Sequence, residues 1–244
     1  MGTAAVLAHA LPSVTVLGTF APSPPAVLPA GWCRWRWPAS GAAGALALTF
    51  DDGPDPLTTP RTLDLLDELG LRATFFLVGG EVDRYPALAA EIAGRGHGVA
   101  VHGHGHRHHL LRSPGWVCAD TALAVAAVGR ATGVVPRWYR PPYGQTSIGT
   151  VRAAQRHGLQ VVLWSRWGRE FAERSAGPVL ERLRPGLVAG GVLLLHDSDR
   201  YARPGTAALT HQVLRPLAGE LARRQLVSVP LDELDRRSAA AEAA

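Results

Sequence analysis

The sequence predicts an α/β protein built on a parallel sheet. Seven short apolar segments alternate along the 244 residues with segments of helical character, and each apolar segment is continuous and does not alternate with polar residues. Continuous apolar strands are buried on both faces, which is typical of parallel sheets that are covered by helices. Hydrophobic residues make up 47% of the chain and charged residues 18%, so we expect a folded core.

The predicted strands are separated by turn residues and helix signals. The first strand, 45–50, ends at an acidic turn, after which Thr59 and Pro60 begin a helix that ends at Gly70. Further strands are predicted at 73–78, 99–101, 137–139, 160–164, 191–195 and 226–229. Further helices are predicted around 88–94, 117–131, 147–158, 178–184 and 207–224.

The two ends of the chain differ from the predicted sheet region. We expect residues 1–43 to form an apolar segment and a Pro-rich linker that pack on the domain at 44–234. Residues 235–244, which are rich in Ala, are expected to be a frayed tail. No basic residue precedes the short apolar run at the start, so a secretory signal is not predicted. Alternating Trp and Arg at 32–37 favour an edge strand over a sugar-stacking platform.

Composition excludes several functions. All 25 basic residues are Arg and the net charge is +5, but the Arg residues are scattered, so nucleic-acid binding is not expected. No 18-residue apolar run is free of Pro and polar residues, so no integral membrane span is predicted. Cys33 and Cys118 lack metal-ligand spacing, and we expect two unpaired thiols.

Polar side chains follow the predicted strands at the point where each strand ends. In chain order they are Asp51, Asp52, His102, His106, Arg140, Trp164, His196 and Asp197. Because the carboxyl ends of parallel strands meet at one edge of a sheet, we expect these residues to form a single site.

Two of these segments together indicate a metal site. Asp51 and Asp52 are neighbouring anions that need a cation or a proton between them, and five histidines lie within 102–109. A turn and a solvated loop would explain the segments separately, whereas one cation explains both. Two His and one carboxylate, with a position left for water, are typical of catalytic zinc. The chain lacks a Glu between two His in the H-E-x-x-H arrangement of metalloproteases.

Four motifs resemble the polysaccharide deacetylases, the NodB-homology domains of carbohydrate esterase family four. They are TFDDGP at 49–54, His-x-x-x-His at 102–106, RPPYG at 140–144 and GVLLLHD at 191–197. The similarity includes 72–79 and 96–99 and extends over about residues 44–234. It implies a deformed (β/α)7 barrel with parallel strands.

The resemblance also implies a role for each motif residue. The metal ligands would be Asp52, His102 and His106. Zinc is the preferred ion, with Co²⁺ or another divalent ion as alternatives. His104 and His108 form a second His-x-x-x-His pair, which we do not prefer. The acid and base would be His196 and Asp51, with Arg140 holding Asp51. Residues beside the substrate and oxyanion would be Tyr143, Leu194 and Trp164.

One motif departs from the family pattern. The family has Asp-x-x-Asp-Trp where this chain has Trp167, Glu170 and Phe171 at the corresponding positions. We interpret Glu170 as the carboxylate that orients His196, the alternative being a surface ion pair with Arg166 or Arg169.

The implied activity is removal of N-acetyl groups from N-acetylglucosamine-type sugars or polysaccharides, such as peptidoglycan or chitin-like polymers. The expected partner is thus an acetylated amino sugar. Two alternatives stay open: a deacylase of a small N- or O-acylated metabolite, and a catalytically silent carbohydrate-binding relative. The sequence does not determine the oligomeric state. It leaves the location open between the cytoplasm, non-classical export and, by analogy of substrate, the cell envelope.

Overall fold

The computed structural model describes residues 33–34, 37–39 and 41–242. Within these ranges the chain forms nine strands and eight α-helices. The strands are β1 (Cys33–Arg34), β2 (Ala45–Asp51), β3 (Ala73–Leu77), β4 (Gly98–Val101), β5 (Trp138–Tyr139), β6 (Gln160–Val162), β7 (Arg166–Trp167), β8 (Val192–His196) and β9 (Val227–Ser228). The helices are α1 (Thr59–Glu68), α2 (Gly79–Arg84), α3 (Pro86–Gly94), α4 (Pro114–Thr132), α5 (Ile148–Arg156), α6 (Ala176–Leu183), α7 (Thr206–Arg223) and α8 (Leu231–Glu242).

The strands form one parallel sheet, as predicted. Its order is β1-β6-β5-β4-β3-β2-β8-β7, and β9 pairs with the amino-terminal part of β2. In the central register, Asp51 of β2 lies between Phe76 of β3 and His196 of β8. Register partners in neighbouring strands point to the same face of a sheet, so Asp51 and His196 share one face.

Successive residues of β2 belong to two different buried clusters. Its even-numbered residues pack with apolar side chains of α1 and α7. Ala45 and Ala47 instead belong to a cluster that the strands themselves enclose. Because side chains alternate along a strand, Thr49 and Asp51 continue the row of Ala45 and Ala47 on this enclosed face.

The carboxyl-terminal segment corrects the sequence prediction. Residues 235–242, which we expected to be part of a frayed tail, form the last two thirds of α8. Two indole N–H groups anchor this helix: Trp37 donates to Asp235 at 2.9 Å and Trp138 donates to Asp232 at 2.8 Å. The helix therefore packs at the amino-terminal ends of the strands, and long-range contacts that local composition does not reveal stabilise it.

All seven strands of the predicted sheet are present, β1 lies within the edge strand expected at 32–37, and the structure adds β7. The strand β1 pairs with β6 at the end of the sheet, as expected of an edge strand. The structure also has a short helix that was not predicted, α2, which begins at Gly79. The predicted packing of residues 1–32 lies outside the described residues. Among the helices of the described residues, none combines the length and the hydrophobicity that a membrane span requires.

Candidate active site

The predicted site residues lie on the enclosed face, at the carboxyl ends of the strands. The enclosed cluster includes residues of five strands that lead into the site, among them Ala47, Ala100, Trp138, Val162 and Val192. The residues two or four positions further along these segments are Asp51, His102, Arg140, Trp164, Leu194 and His196. The alternation of side chains therefore explains why five distant segments supply one site.

A cavity of about 350 Å³ opens at this edge of the sheet. Its lining residues are Asp51, Asp52, His102, His106, Tyr143, Gly144, Trp164, Trp167, Phe171, Leu194, His196, Tyr201, Ala202 and Arg203. Arg140 and Glu170 are fully buried behind residues of this lining. Every predicted site residue except Asp197 thus lies either in the wall of the cavity or directly behind it. Asp197 is buried away from the lining, where its carboxylate accepts a hydrogen bond from the Thr59 hydroxyl. The segment 201–203 was not predicted, because no motif marks it.

Asp52, His102 and His106 form a compact cluster of donor atoms. One donor atom from each residue lies within 4.8 Å of the others. Asp52 Oδ1 is 3.5 Å from His102 Nε2 and 3.0 Å from His106 Nε2. His102 Nδ1 donates to the carbonyl oxygen of Arg140 at 2.7 Å, which turns Nε2 toward Asp52. One carboxylate oxygen and two imidazole nitrogens in this arrangement fit a zinc ion.

The electrostatics of the cluster also suit a cation. Burial opposes ionisation of Asp52, but its interactions with His102 and His106 outweigh burial and hold its pKa far below the ordinary value. Burial lowers the pKa of His106, which favours the neutral imidazole. An ionised carboxylate and a neutral imidazole are the forms that bind metal ions.

Left-handed backbone geometry places several of these side chains. Asp52 has a φ of 82°, His106 of 47° and Tyr143 of 60°. Such conformations cost on the order of 1–3 kcal/mol each when they are strained, and they concentrate at functional sites. Gly144 has a φ of 65°, and a Cβ there would lie 2.5 Å from the ring of Trp164, so only glycine fits.

Arg140 fixes the orientation of Asp51. Its Nη1 donates to Asp51 Oδ1 at 2.7 Å and to Thr49 Oγ1 at 2.9 Å. Its Nε and Nη2 donate to the carbonyl oxygens of residues 162 and 163 at 3.1 and 2.9 Å. The second carboxylate oxygen of Asp51, Oδ2, lies 3.7 Å from His102 Nε2, at the donor cluster.

Glu170 contacts His196 in the interior of the protein. Glu170 Oε1 is 3.0 Å from His196 Nδ1 and accepts the backbone N–H of His196 at 2.8 Å. Burial alone would lower the pKa of His196, but the Glu170 carboxylate raises it to about 10. Glu170 is 0% exposed, so the alternative of a surface ion pair with Arg166 or Arg169 is wrong.

Aromatic rings form much of the cavity wall. Trp167 lies between Trp164 and Phe171, with ring centroids 5.6 and 5.2 Å away. Leu194, which is buried, projects from β8 into the same cavity. The half-exposed ring of Tyr143 stacks on His108 at 3.7 Å.

His104 and His108 lie outside the donor cluster. His104 Nε2 is 3.1 Å from Asp83 Oδ2, and His108 Nδ1 is 3.0 Å from Gln145 Oε1. The preferred register, His102 and His106, is therefore the one that converges with Asp52.

Similar proteins point to one family. The family model for polysaccharide deacetylase matches residues 40–162. A peptidoglycan-N-acetylglucosamine deacetylase of Bacillus cereus is 31% identical over 190 residues, which cover 74% of this chain and 84% of the relative. A chitooligosaccharide deacetylase of a Bradyrhizobium species is 33% identical over 198 residues, covering 77% and 89%. A peptidoglycan-N-acetylglucosamine deacetylase of Listeria monocytogenes is 34% identical over 152 residues, but these span 62% of this chain and only 32% of that longer protein.

Solved structures show the same architecture. The peptidoglycan N-acetylglucosamine deacetylase Bc1960 aligns with a TM-score of 0.76 and 26% identity, covering 83% of this chain and 92% of that one. A family 4 carbohydrate esterase from Streptomyces lividans aligns with a TM-score of 0.70 and 29% identity, covering 76% and 91%. These likenesses confirm the predicted deformed α/β barrel. Its fold, its motifs and the family model agree, and the chain belongs to the polysaccharide deacetylases, the NodB-homology domains of carbohydrate esterase family four.

Proposed function

We propose that the chain is a metal-dependent hydrolase that removes N-acetyl groups from N-acetylglucosamine-type sugars or polysaccharides. One observation carries the proposal: Asp51 and His196 are register partners on adjacent strands, beside the Asp-His-His cluster. Each of the two has its own buried partner, Arg140 for Asp51 and Glu170 for His196. A carboxylate beside a cation and an imidazole beside a carboxylate therefore face the same cavity. Amide hydrolysis requires a base and an acid in such positions.

Asp52, His102 and His106 are the residues that would hold the ion, and their donor set suits zinc or cobalt. When bound, a divalent ion there supplies Lewis-acid polarisation of the scissile carbonyl and activation of water. His102 has the tautomer that metal binding needs. Its Nδ1 carries the proton and donates to the Arg140 carbonyl oxygen, so Nε2 is available to the ion.

Asp51 is the proposed general base. Arg140 occupies Oδ1, so the proton of the attacking water passes to Oδ2, the oxygen nearer the donor cluster. The Asp51 carboxylate is 3% exposed, and its contact with the Arg140 guanidinium at 2.7 Å keeps Oδ2 directed toward the donor cluster.

His196 is the proposed general acid. An amine leaves poorly as an anion, so the departing nitrogen must receive a proton, and His196 Nε2 donates it while Nδ1 stays with Glu170. The backbone N–H of Tyr143 is proposed to stabilise the oxyanion; a donor of this kind typically contributes roughly 3 kcal/mol. Leu194 and Trp164, which line the cavity, would surround the acetyl group and the sugar ring.

A second candidate is deacylation of a small N- or O-acylated metabolite by the same residues. The observation that favours it is Trp167, which places an aromatic ring between Trp164 and Phe171 where the family motif carries an acid. A catalytically silent sugar-binding role is less well supported, because a binding protein has no need of the Asp51–Arg140 and His196–Glu170 pairs.

A substrate panel tests these alternatives. Acetate release is measured with the zinc-loaded full chain on N-acetylglucosamine oligomers, small N-acetyl amines and O-acetyl esters, with Asp51→Asn as the matched control for contaminating activity. We expect turnover on the oligomers to exceed that on the small amides. Turnover on the small compounds alone would establish the second candidate, and sugar binding with no acetate release from any compound would establish the silent role.

A further inference from the structure

The two histidines of the donor cluster are held in different ways. His102 Nδ1 donates to a main-chain carbonyl, the usual means by which a protein orients a metal-binding imidazole. His106 Nδ1 is buried and makes no hydrogen bond with any residue that the structure describes. His106 also has a φ of 47°, so its backbone conformation needs support from outside the turn. Another contact must therefore restrain the His106 ring.

Aromatic stacking provides that contact. The ring of Tyr201 lies 4.0 Å from the His106 ring, at an interplanar angle of 22°. Tyr143 meets His106 edge-on, with centroids 4.7 Å apart, and is itself stacked on His108. A ring between two such neighbours cannot rotate about χ2 without losing contact area with both.

Tyr201 is in turn fixed by a buried carboxylate. Its hydroxyl donates to Glu81 Oε1 at 2.9 Å. Glu81 lies on α2, is 2% exposed and is also paired with Arg84 at 3.1 Å and Arg200 at 3.2 Å. The contact between Tyr201 and His106 thus has a rigid support in a separate helix.

We propose that Tyr201 and Glu81 are positioning residues for the metal site, in which the stacked Tyr201 ring restrains His106 in place of the absent hydrogen bond at Nδ1. The inference rests on the metal site of the proposed function and adds to it two residues that no motif identifies. A Tyr201 that only formed the cavity wall would affect substrate binding and leave the affinity for the ion unchanged.

The test measures the affinity of the metal-free full chain for Zn²⁺ by competition with a chelator, without substrate. Removal of a group that orients a metal ligand typically weakens binding by about 10–100-fold, and we expect a loss in this range for Tyr201→Ala. Tyr201→Phe and Glu81→Gln keep the ring and should give smaller losses. Trp116→Ala is the matched control, because that ring lies on α4 beside the Arg112 guanidinium, 5.1 Å away, and makes no contact with Tyr201, Glu81 or Arg200 in the described residues, so the affinity should stay unchanged.

A double-mutant cycle shows whether Tyr201 acts through His106. In a His106→Ala background the affinity is already reduced, and the added Tyr201→Ala substitution should cause no further loss. Equal losses in the two backgrounds, or unchanged affinity in Tyr201→Ala, would overturn the inference while leaving the metal site intact. Failure of the wild-type chain to bind Zn²⁺ would instead overturn the metal site itself. Thermal melts of the metal-free variants identify any that fail to fold. If Tyr201→Ala fails to fold, the Zn²⁺ affinity of Tyr201→Phe is compared with that of the wild type instead.

Discussion

Glu170 holds His196 at two points, through the ring and through the main chain. Its Oε1 lies 3.0 Å from His196 Nδ1 and accepts the backbone N–H of the same residue at 2.8 Å. The chain thus retains a buried carboxylate for the proposed acid, although Trp167 and Phe171 alter the rest of that motif. A Glu side chain on the short helical turn Glu170–Ala172 reaches the histidine at the end of β8.

Glu170→Gln should lower turnover and move the basic limb of the pH–rate profile to lower pH. The carboxylate raises the pKa of His196 to about 10, and an uncharged amide cannot stabilise the imidazolium, so His196 loses its proton at lower pH. Glu181→Gln, at the exposed pair with Arg184, is the matched control. Wild-type turnover and an unmoved basic limb in Glu170→Gln would show that Glu170 does not support the acid.

The pair of Glu170 and His196 should also affect the stability of the metal-free protein. A histidine whose pKa is raised on folding contributes stability that is fully present below its unfolded pKa of about 6.5. That contribution is lost as the pH rises toward the folded value of about 10. Thermal melts across this range should therefore show a weaker loss of stability with rising pH in Glu170→Gln than in the wild type.

Asp51→Asn should abolish most turnover while the protein keeps its metal. The amide oxygen can still accept from Arg140, but it cannot take a proton from water, and general bases typically contribute about 10²–10⁴-fold. Turnover and bound zinc are measured on the same preparation, with Asp83→Asn at the exposed His104 pair as the control. A loss of less than tenfold would remove Asp51 from the role of base.

Arg140→Met should destabilise the fold. The substitution leaves Asp51 buried without its cation, and loss of one partner of a buried ion pair typically costs about 3–5 kcal/mol. Arg130→Met removes the exposed pair with Asp83, where about 0–1 kcal/mol is expected. Urea unfolding of the metal-free proteins gives both free energies, and equal effects of the two substitutions would contradict the structural role of Arg140.

The parts of the molecule that the sequence predicts well are those in which local pattern and three-dimensional position coincide. Continuous apolar runs end where polar residues begin, and side-chain alternation then carries Asp51, Arg140 and His196 to one face. The role of Glu170 could also be predicted although its motif is altered, because Glu170 is the only acidic residue between Gln160 and Phe171.

The parts that it missed depend on contacts between distant segments. The helix α8 is stabilised by the indole N–H groups of Trp37 and Trp138, which are remote in sequence, and its Ala-rich composition suggested a tail. Tyr201 has no motif around it, and its position follows only from the stacking on His106 and the bond to Glu81. Neither contact leaves a local pattern that a reading of one sequence can detect.

The account depends most on the ion that Asp52, His102 and His106 are proposed to hold. The most direct test measures acetate release from N-acetylglucosamine oligomers by one preparation before chelation, after chelation and after addition of Zn²⁺ or Co²⁺. We expect chelation to abolish release and either ion to restore it, whereas the His102→Ala variant should recover little or nothing. Release that is indifferent to the chelator, from protein that contains no transition metal, would contradict the account.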